Sequence, residues 1–467
     1  MSGFPQLGAY VRVYTTLTPS GDTTGATDTA AIQAALTAAT PTAGTVVLAP
    51  GTYYLNAPIV IGPLGTATPA MPVRAPSLIT TSSAGHIGDN SFPTDVSAVE
   101  ITCASSFPVG KYMIDYQMGT AAGSGGPSGA VVSGFSLNCA GKGAGLRLQG
   151  IRRFDVANIS INGGASPAGY TDGSAGGLEI NNATNSTAGA WSTFRNITVY
   201  NCAANGIHHN AANQDTFIGC NVMNNGLANY FLDSLCQATF FGCSSQGTTN
   251  LWGWECLGAS ATIIGGSTEA GGAQQYAVYL RGNAASAGVN TETYFIGTQF
   301  VGLGSGGAQP LVFGAFTPGR QHLVKFMGCE FDAAASTSYW VQVAASCTGY
   351  IDFDNCIFNG VPATGSYLDS SGNNILRFNR CRGINPVGVV TPAVPASGSA
   401  VAGQPYDRTF YVSTVVGTTT CSMAIQGGPT ITFVGAAAQV VAVRVPAGQT
   451  ATPTYTGAAP TWVVEGE

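Results

Sequence analysis

The chain has 467 residues, 64 of them glycine, with 16 basic and 22 acidic side chains and a net charge of −6. Only 8% of residues are charged and 45% are hydrophobic, against roughly 25% charged in an ordinary soluble domain. This excludes a disordered chain and a coiled coil, and glycine does not recur at every third position as collagen requires. Three lysines (Lys111, Lys142, Lys325) cannot make the clustered basic face that nucleic acid needs. No 18 apolar residues run together, so no membrane span is expected. The start, MSGFPQLGAYVRVY, lacks the basic and apolar regions of a secretory leader. Twelve cysteines without a CxxC pair fit buried, reduced thiols in a chain made in a cytosol, with no metal and no cofactor.

Residues 1–97 read as an entry segment that includes the first coils. Within it, GDTTGATDTAAIQAALTAATPTAGTVVLAPGTYYLNAPIVI (21–61) predicts a turn, a helix and strands. Thr27, Asp28 or Thr29 is placed to cap a helix whose Ile32, Ala35 and Leu36 share one face, and Gly51 lets the following strand turn. Strands are also expected near VEITC and YMIDYQM. The helix is expected to cover the open end of the body that follows, since bare edge strands invite aggregation.

Residues 98–384 repeat one short motif. TFRNITV, TFIGCNV, TFFGCSS and TIIGGST begin at Thr193, Thr216, Thr239 and Thr262, and such self-similarity marks a solenoid. Ten copies align. Their first column is apolar throughout: Val132, Val156, Phe194, Phe217, Phe240, Ile263, Phe295, Phe326, Phe353 and Phe378. Two residues later come Gly134, Asn158, Asn196, Gly219, Gly242, Gly265, Gly297, Gly328, Asn355 and Arg380. Gly and Asn best tolerate a left-handed backbone, so each copy turns a corner there. The next column, which contains Cys220, Cys243, Cys329, Cys356 and Cys381, should point inward. Short β-rich runs broken by turn residues predict a parallel β-helix whose like residues stack about 4.8 Å apart. The cysteine file is read as small apolar filling, since a one-sided ladder offers no tetrahedral ligand set.

Residues 385–405, within INPVGVVTPAVPASGSAVAGQP, read as a linker. Residues 406–467 alternate apolar and polar side chains and read as a small β domain. The entry segment resembles the N-terminal signature of the pectate-lyase-like β-helix superfamily, and TPAVPASGSAV with VRVPAGQTATPTYTGAAPTWVV resembles a domain at the ends of phage minor tail and fibre proteins. These resemblances imply an all-β, right-handed parallel β-helix with an N-terminal capping helix and a small C-terminal β domain. They also imply a minor tail or tailspike-like virion protein assembled in a host cytoplasm. It would be trimeric, partnered by other tail proteins and host-surface polysaccharide, and would neither bind nucleic acid nor enter a membrane.

One scaffold of this kind hosts binders, hydrolases and lyases alike, so candidate residues matter. The residue before each corner should face outward, which makes Ile218, Phe241, Ile264, Ile296 and Met327 an apolar stripe suited to a subunit interface around a threefold axis. Carboxylate chemistry on polysaccharide would use Asp352 with Asp354 or Glu330. Lys325, Asp352 and Arg377 share one column, which also reads as a plain ion-pair ladder. A second cluster holds Glu179, His208, His209, Asp233 and Glu255, with Trp252, Trp254 and Tyr230 alongside for stacking on sugar rings or for filling core. His209 and Glu255 lie 46 residues apart, two repeats, which predicts one shared face. No motif of polygalacturonases or calcium pectate lyases transfers. The reading is therefore a glycan-binding tail protein, with a polysaccharide depolymerase, hydrolase or lyase, as the alternative.

Overall fold

The computed structural model describes residues 14–62, 75–80, 98–117, 129–168, 174–181, 191–210, 213–233, 236–247, 252–270, 276–281, 291–303, 309–313, 322–333, 339–345, 347, 349–360, 367–371, 375–383, 389–390, 393–404, 407–434 and 440–466. The chain forms two compact units, Met1–Glu255 and Cys256–Glu467.

The helix of the first unit, Ala26–Ala39, buries Ile32, Ala35, Leu36 and Ala39 and packs on the strands Thr45–Leu48, Gly51–Leu55 and Ile59–Ile61. Its cap differs from the sequence expectation. The helix starts after Gly25, whose φ of 82° is left-handed and which supplies no side chain. Asp22 does the capping from outside: its carboxylate accepts from the backbone N–H of Thr24 (2.9 Å) and Thr27 (3.0 Å). Asp28, already inside the first turn, is freed to accept from the backbone N–H of Ser20 and Tyr54, both at 2.9 Å. Gly51 does turn the chain: its φ is 132°, and a Cβ there would lie 2.5 Å from Pro19.

Beyond the helix the first unit is parallel sheet. One sheet pairs Asp155–Asn162 with Thr193–Tyr200, Val156 opposite Phe194 and Ile159 opposite Ile197; Phe194 then faces Phe217, which faces Phe240. The second sheet contains Ile59–Ile61, Tyr112–Gln117, Ala144–Gln149, Ala175–Asn181, Asn205–Asn210 and Ala228–Leu232. The second unit repeats the scheme. Ser260–Ile264, Thr291–Ile296, His322–Met327, Gly349–Asp354 and Leu376–Asn379 pair in parallel and in register. This is a parallel β-helix, and its regularity follows from the corner column: all ten corner residues have φ between 50° and 90°, Arg380 included.

All ten residues of the first apolar column are fully buried. Their rings stack as files, Phe194–Phe217–Phe240 at 4.6 and 4.5 Å and Phe295–Phe326–Phe353–Phe378 at 4.9, 4.8 and 4.7 Å. The spacing is set by the strand separation of about 4.8 Å, and each stacked pair adds roughly 0.5–1.5 kcal/mol beyond its buried area. The cysteine file is inward as expected. Four of its thiols also donate to a carbonyl of an earlier rung, among them Cys356 to Phe326 and Cys381 to Phe353, both at 3.4 Å. Among the described residues no cluster of His, Cys, Asp and Glu could hold a metal ion.

The C-terminal part of the second unit is antiparallel. One sheet holds Arg408–Ser413, Val440–Val445 and Thr461–Gly466, the other Thr418–Ile425, Thr430–Val434 and Ala451–Gly457, around a core of Phe410, Val412, Met423, Val443 and Trp462. The stretch read as a linker takes part: Val389–Val390 pairs with the last strand and Val401 bridges Ala451.

Candidate functional site

In the second unit, the strand Gly349–Asp354 places Ile351 and Phe353 in the core, so Tyr350, Asp352 and Asp354 point outward by alternation. Lys325, Asp352 and Arg377 lie directly opposite one another on consecutive rungs. Asp352 is half-buried and one carboxylate oxygen, Oδ1, is shut away without a hydrogen-bond partner. Burial raises its carboxyl above the ordinary range, against the pull of Arg377 and Lys325 and with help from Asp354. The Arg377 guanidinium stacks 4.0 Å over the ring of Tyr350, itself 40% exposed, while Asp354 pairs with Arg380 at 3.1 Å. Two outward residues on one strand stand about 6.6 Å apart along it, within reach of the roughly 6.5–9.5 Å separation of inverting glycosidases. Glu330 is not part of this pair. It lies past the corner at Gly328 and is tied to Asn359 (2.8 Å) and Gln299 (3.3 Å).

The first unit separates residues that the repeat spacing places together. His209 is inward: fully buried, edge-on to Phe217 at 5.5 Å, with Nε2 3.0 Å from Asp215. Trp254 stacks on Tyr230 at 4.0 Å, a step of 24 residues rather than 23. That one extra residue flips the face, so Glu255, next to inward Trp254, points away from the core while His209 points into it. Tyr230 and Trp254 have no exposed surface. Tyr230 spends its hydroxyl on the carbonyls of Cys220 and Ser244, and Trp254 also meets the edge of Phe240. Neither ring has a face open to a sugar, so they fill core, and the stacking role expected of them does not fit. Trp252 is half-buried and Glu255 buried.

On the outer side of the same sheet the sequence cluster becomes a column. Asp115, Arg147, Glu179 and His208 are register partners on four rungs, followed by Phe231. Each of these residues sits between two buried neighbours, as in Leu146-Arg147-Leu148 and Leu178-Glu179-Ile180, and His208 between Ile207 and His209. Signs alternate along the column. The Arg147 guanidinium forks onto Asp115, with Nε at 2.7 Å from Oδ1, and His208 Nδ1 lies 2.9 and 3.0 Å from the two Glu179 oxygens. His208 Nε2 faces Asp233 Oδ2 at 3.7 Å. Burial opposes a charged ring, but Glu179 and Asp233 outweigh it and push His208 up to about 9. With Glu179 and His208 both under 5% exposed, this column is an internal ionic brace.

Of the residues expected in the apolar stripe, two lie in the first unit and three in the second. Ile218 and Phe241 are 40% and 42% exposed and face each other across adjacent rungs. Ile264, Ile296 and Met327 are half-buried and in register.

No family model and no curated protein matches the chain. Solved structures similar to it include the enzymatically active domain of tailspike protein 4 of bacteriophage CBA120, 12% identical over 92% of this chain and 65% of that one, TM-score 0.45. The tailspike of the Acinetobacter baumannii bacteriophage Fri1, a capsular polysaccharide depolymerase, is 11% identical over 92% of this chain and 81% of its own, TM-score 0.40. The A-module of the Azotobacter vinelandii mannuronan C-5 epimerase AlgE4 is 13% identical over 73% of this chain and 95% of its own, TM-score 0.43. The chain spans less than two thirds of the first of these, and likeness at this level assigns no activity.

Proposed function

We propose that the chain is a tailspike-like component of a bacteriophage tail, which self-associates as a homotrimer and holds a glycan of the host surface. The observation that carries the reading is the apolar stripe. In the first unit Ile218 and Phe241, 40% and 42% exposed, face each other just before their corners; in the second Ile264, Ile296 and Met327 hold the same position in register, half-buried. A soluble chain keeps such runs only where a partner covers them, and a closed cyclic assembly of identical chains buries them without leaving a free end. The order of capping helix, solenoid and small antiparallel domain, with the resemblance read at both ends of the sequence, supports the tail assignment.

The test is the mass in solution by light scattering. Wild type should run near three times the 47.3 kDa of one chain, and Phe241→Asp with Ile264→Asp should fall toward the single-chain mass. A monomeric wild type, or an unmoved variant, overturns the trimer. Retention of purified host-envelope polysaccharide tests the glycan.

A second reading, a depolymerase, is favoured by Asp352 and Asp354 on one outward strand, the first held toward its neutral acid by burial and the second paired with Arg380. New reducing ends or unsaturated sugars released by wild type and abolished in Asp352→Asn would establish it.

A further inference from the structure

The first unit carries a second column of left-handed residues. The Phe154 N–H donates to Ser192 Oγ (3.2 Å) and the Ser192 N–H to Asp215 Oδ1 (2.8 Å), and Asp155, Thr193 and Thr216 are opposite one another. The residues preceding Phe154, Ser192 and Asp215 are Arg153, Trp191 and Gln214. All three have positive φ, at 50°, 67° and 60°. In the corner column this conformation falls to Gly or Asn at nine positions of ten, because a Cβ is crowded there. For an aromatic residue it is an outlier. Burial does not compensate: Trp191 is 52% exposed, and Arg153 and Gln214 are exposed as well.

These side chains are nevertheless ordered against one another. The Trp191 indole N–H donates to Gln214 Oε1 at 2.5 Å, and the guanidinium carbons of Arg152 and Arg153 lie 5.9 and 5.6 Å from the ring. Arg153 has no ion pair among the described residues. The result is a half-open aromatic ring, fixed in orientation and flanked by guanidinium groups. Such a ring stacks on the apolar face of a pyranose, and a guanidinium matches a carboxylate with two parallel hydrogen bonds. Backbone strain kept at an exposed position is a mark of function.

We infer that Trp191, Arg153 and Gln214, beside Arg152, form a binding subsite for an acidic sugar, the ring carrying the pyranose and the Arg153 guanidinium its carboxylate. The inference rests on the glycan-holding role proposed above and names its substrate class.

The full chain is titrated calorimetrically with a panel of uronate-, sialate- and pyruvate-bearing bacterial capsular polysaccharides, with dextran and mannan as neutral controls. Acrylamide quenching of tryptophan fluorescence is followed in parallel. An acidic member should bind, shield the exposed indole and weaken as salt rises. Trp191→Asn, which keeps a residue tolerant of the left-handed backbone, and Arg153→Gln should each lose at least tenfold in affinity, and Trp191→Asn should melt no lower than wild type. If wild type and Trp191→Asn bind an acidic member equally, or Trp191→Asn melts lower with binding intact, the ring merely fastens the rungs; the subsite falls and the glycan role stands. Binding of neutral members alone overturns the acidic class. If nothing in the panel binds wild type, the subsite falls together with the glycan role it rests on.

Discussion

His208→Gln should remove a pH-dependent part of the stability of the first unit. In the folded chain the imidazolium is held by Glu179 at 2.9 Å and faces Asp233 at 3.7 Å, and its pKa rises from 6.5 to about 9. A raised folded pKa means that the folded state binds the proton more tightly than the unfolded chain. The contribution is therefore complete below pH 6.5, declines between 6.5 and about 9, and is gone above that. At about 1.4 kcal/mol per pH unit the span corresponds to about 3 kcal/mol. Buried thiols lose stability at the alkaline end too, since Cys103 and Cys202 are pushed up to about 12 by burial and ionise more readily once unfolded. That loss is common to both proteins, so the quantity to read is the difference between wild type and variant. Urea unfolding at pH 6 and pH 9.5 should show a gap that shrinks by about 3 kcal/mol at the higher pH, or roughly 6 °C in melting temperature for a unit of this size. An equal gap at both pH values would refute the claim that His208 is charged and braced in the folded state.

Phe217→Ala removes a ring stacked between Phe194 and Phe240 and should cost about 3–5 kcal/mol in urea unfolding; a loss below 1 kcal/mol would mean that the aromatic file does not bear the rungs. Gly242 and Gly134 share the corner column but not the surroundings. A Cβ on Gly242 meets nothing within 4 Å, whereas one on Gly134 would lie 2.3 Å from the Thr80 hydroxyl. Gly242→Ala should therefore cost only the left-handed strain, about 1–2 kcal/mol, and Gly134→Ala clearly more, as read by thermal unfolding. Asp28→Ala strips an acceptor from the N–H groups of Ser20 and Tyr54 and should cost about 2–4 kcal/mol, with earlier proteolysis of the helical entry segment.

The corner column was legible because steric permission is written directly into residue type: Gly and Asn advertise a left-handed turn, and the apolar residue two places earlier is thereby fixed inward. The same logic explains what stayed hidden. Arg153, Trp191 and Gln214 adopt the same backbone with residue types that do not announce it, so a template built on Gly and Asn passes over them. Face assignments fail for a different reason. Counting 46 residues from His209 to Glu255 assumes two equal coils, but the stack of Tyr230 on Trp254 fixes a 24-residue step, and an offset of one residue exchanges inside for outside. The outer column of Asp115, Arg147, Glu179 and His208 is hidden for a related reason: its first three members each stand between two core residues, but His208 and His209 are adjacent, and only the register with Glu179 shows which of them faces out. Glu330 illustrates the limit from the other side, since it is near Asp352 in the repeat yet lies past the corner at Gly328, bonded to Asn359 and Gln299. In a solenoid, then, the position of a residue relative to its own corner is the reliable coordinate, and distance along the chain becomes one only when every insertion between corners is known.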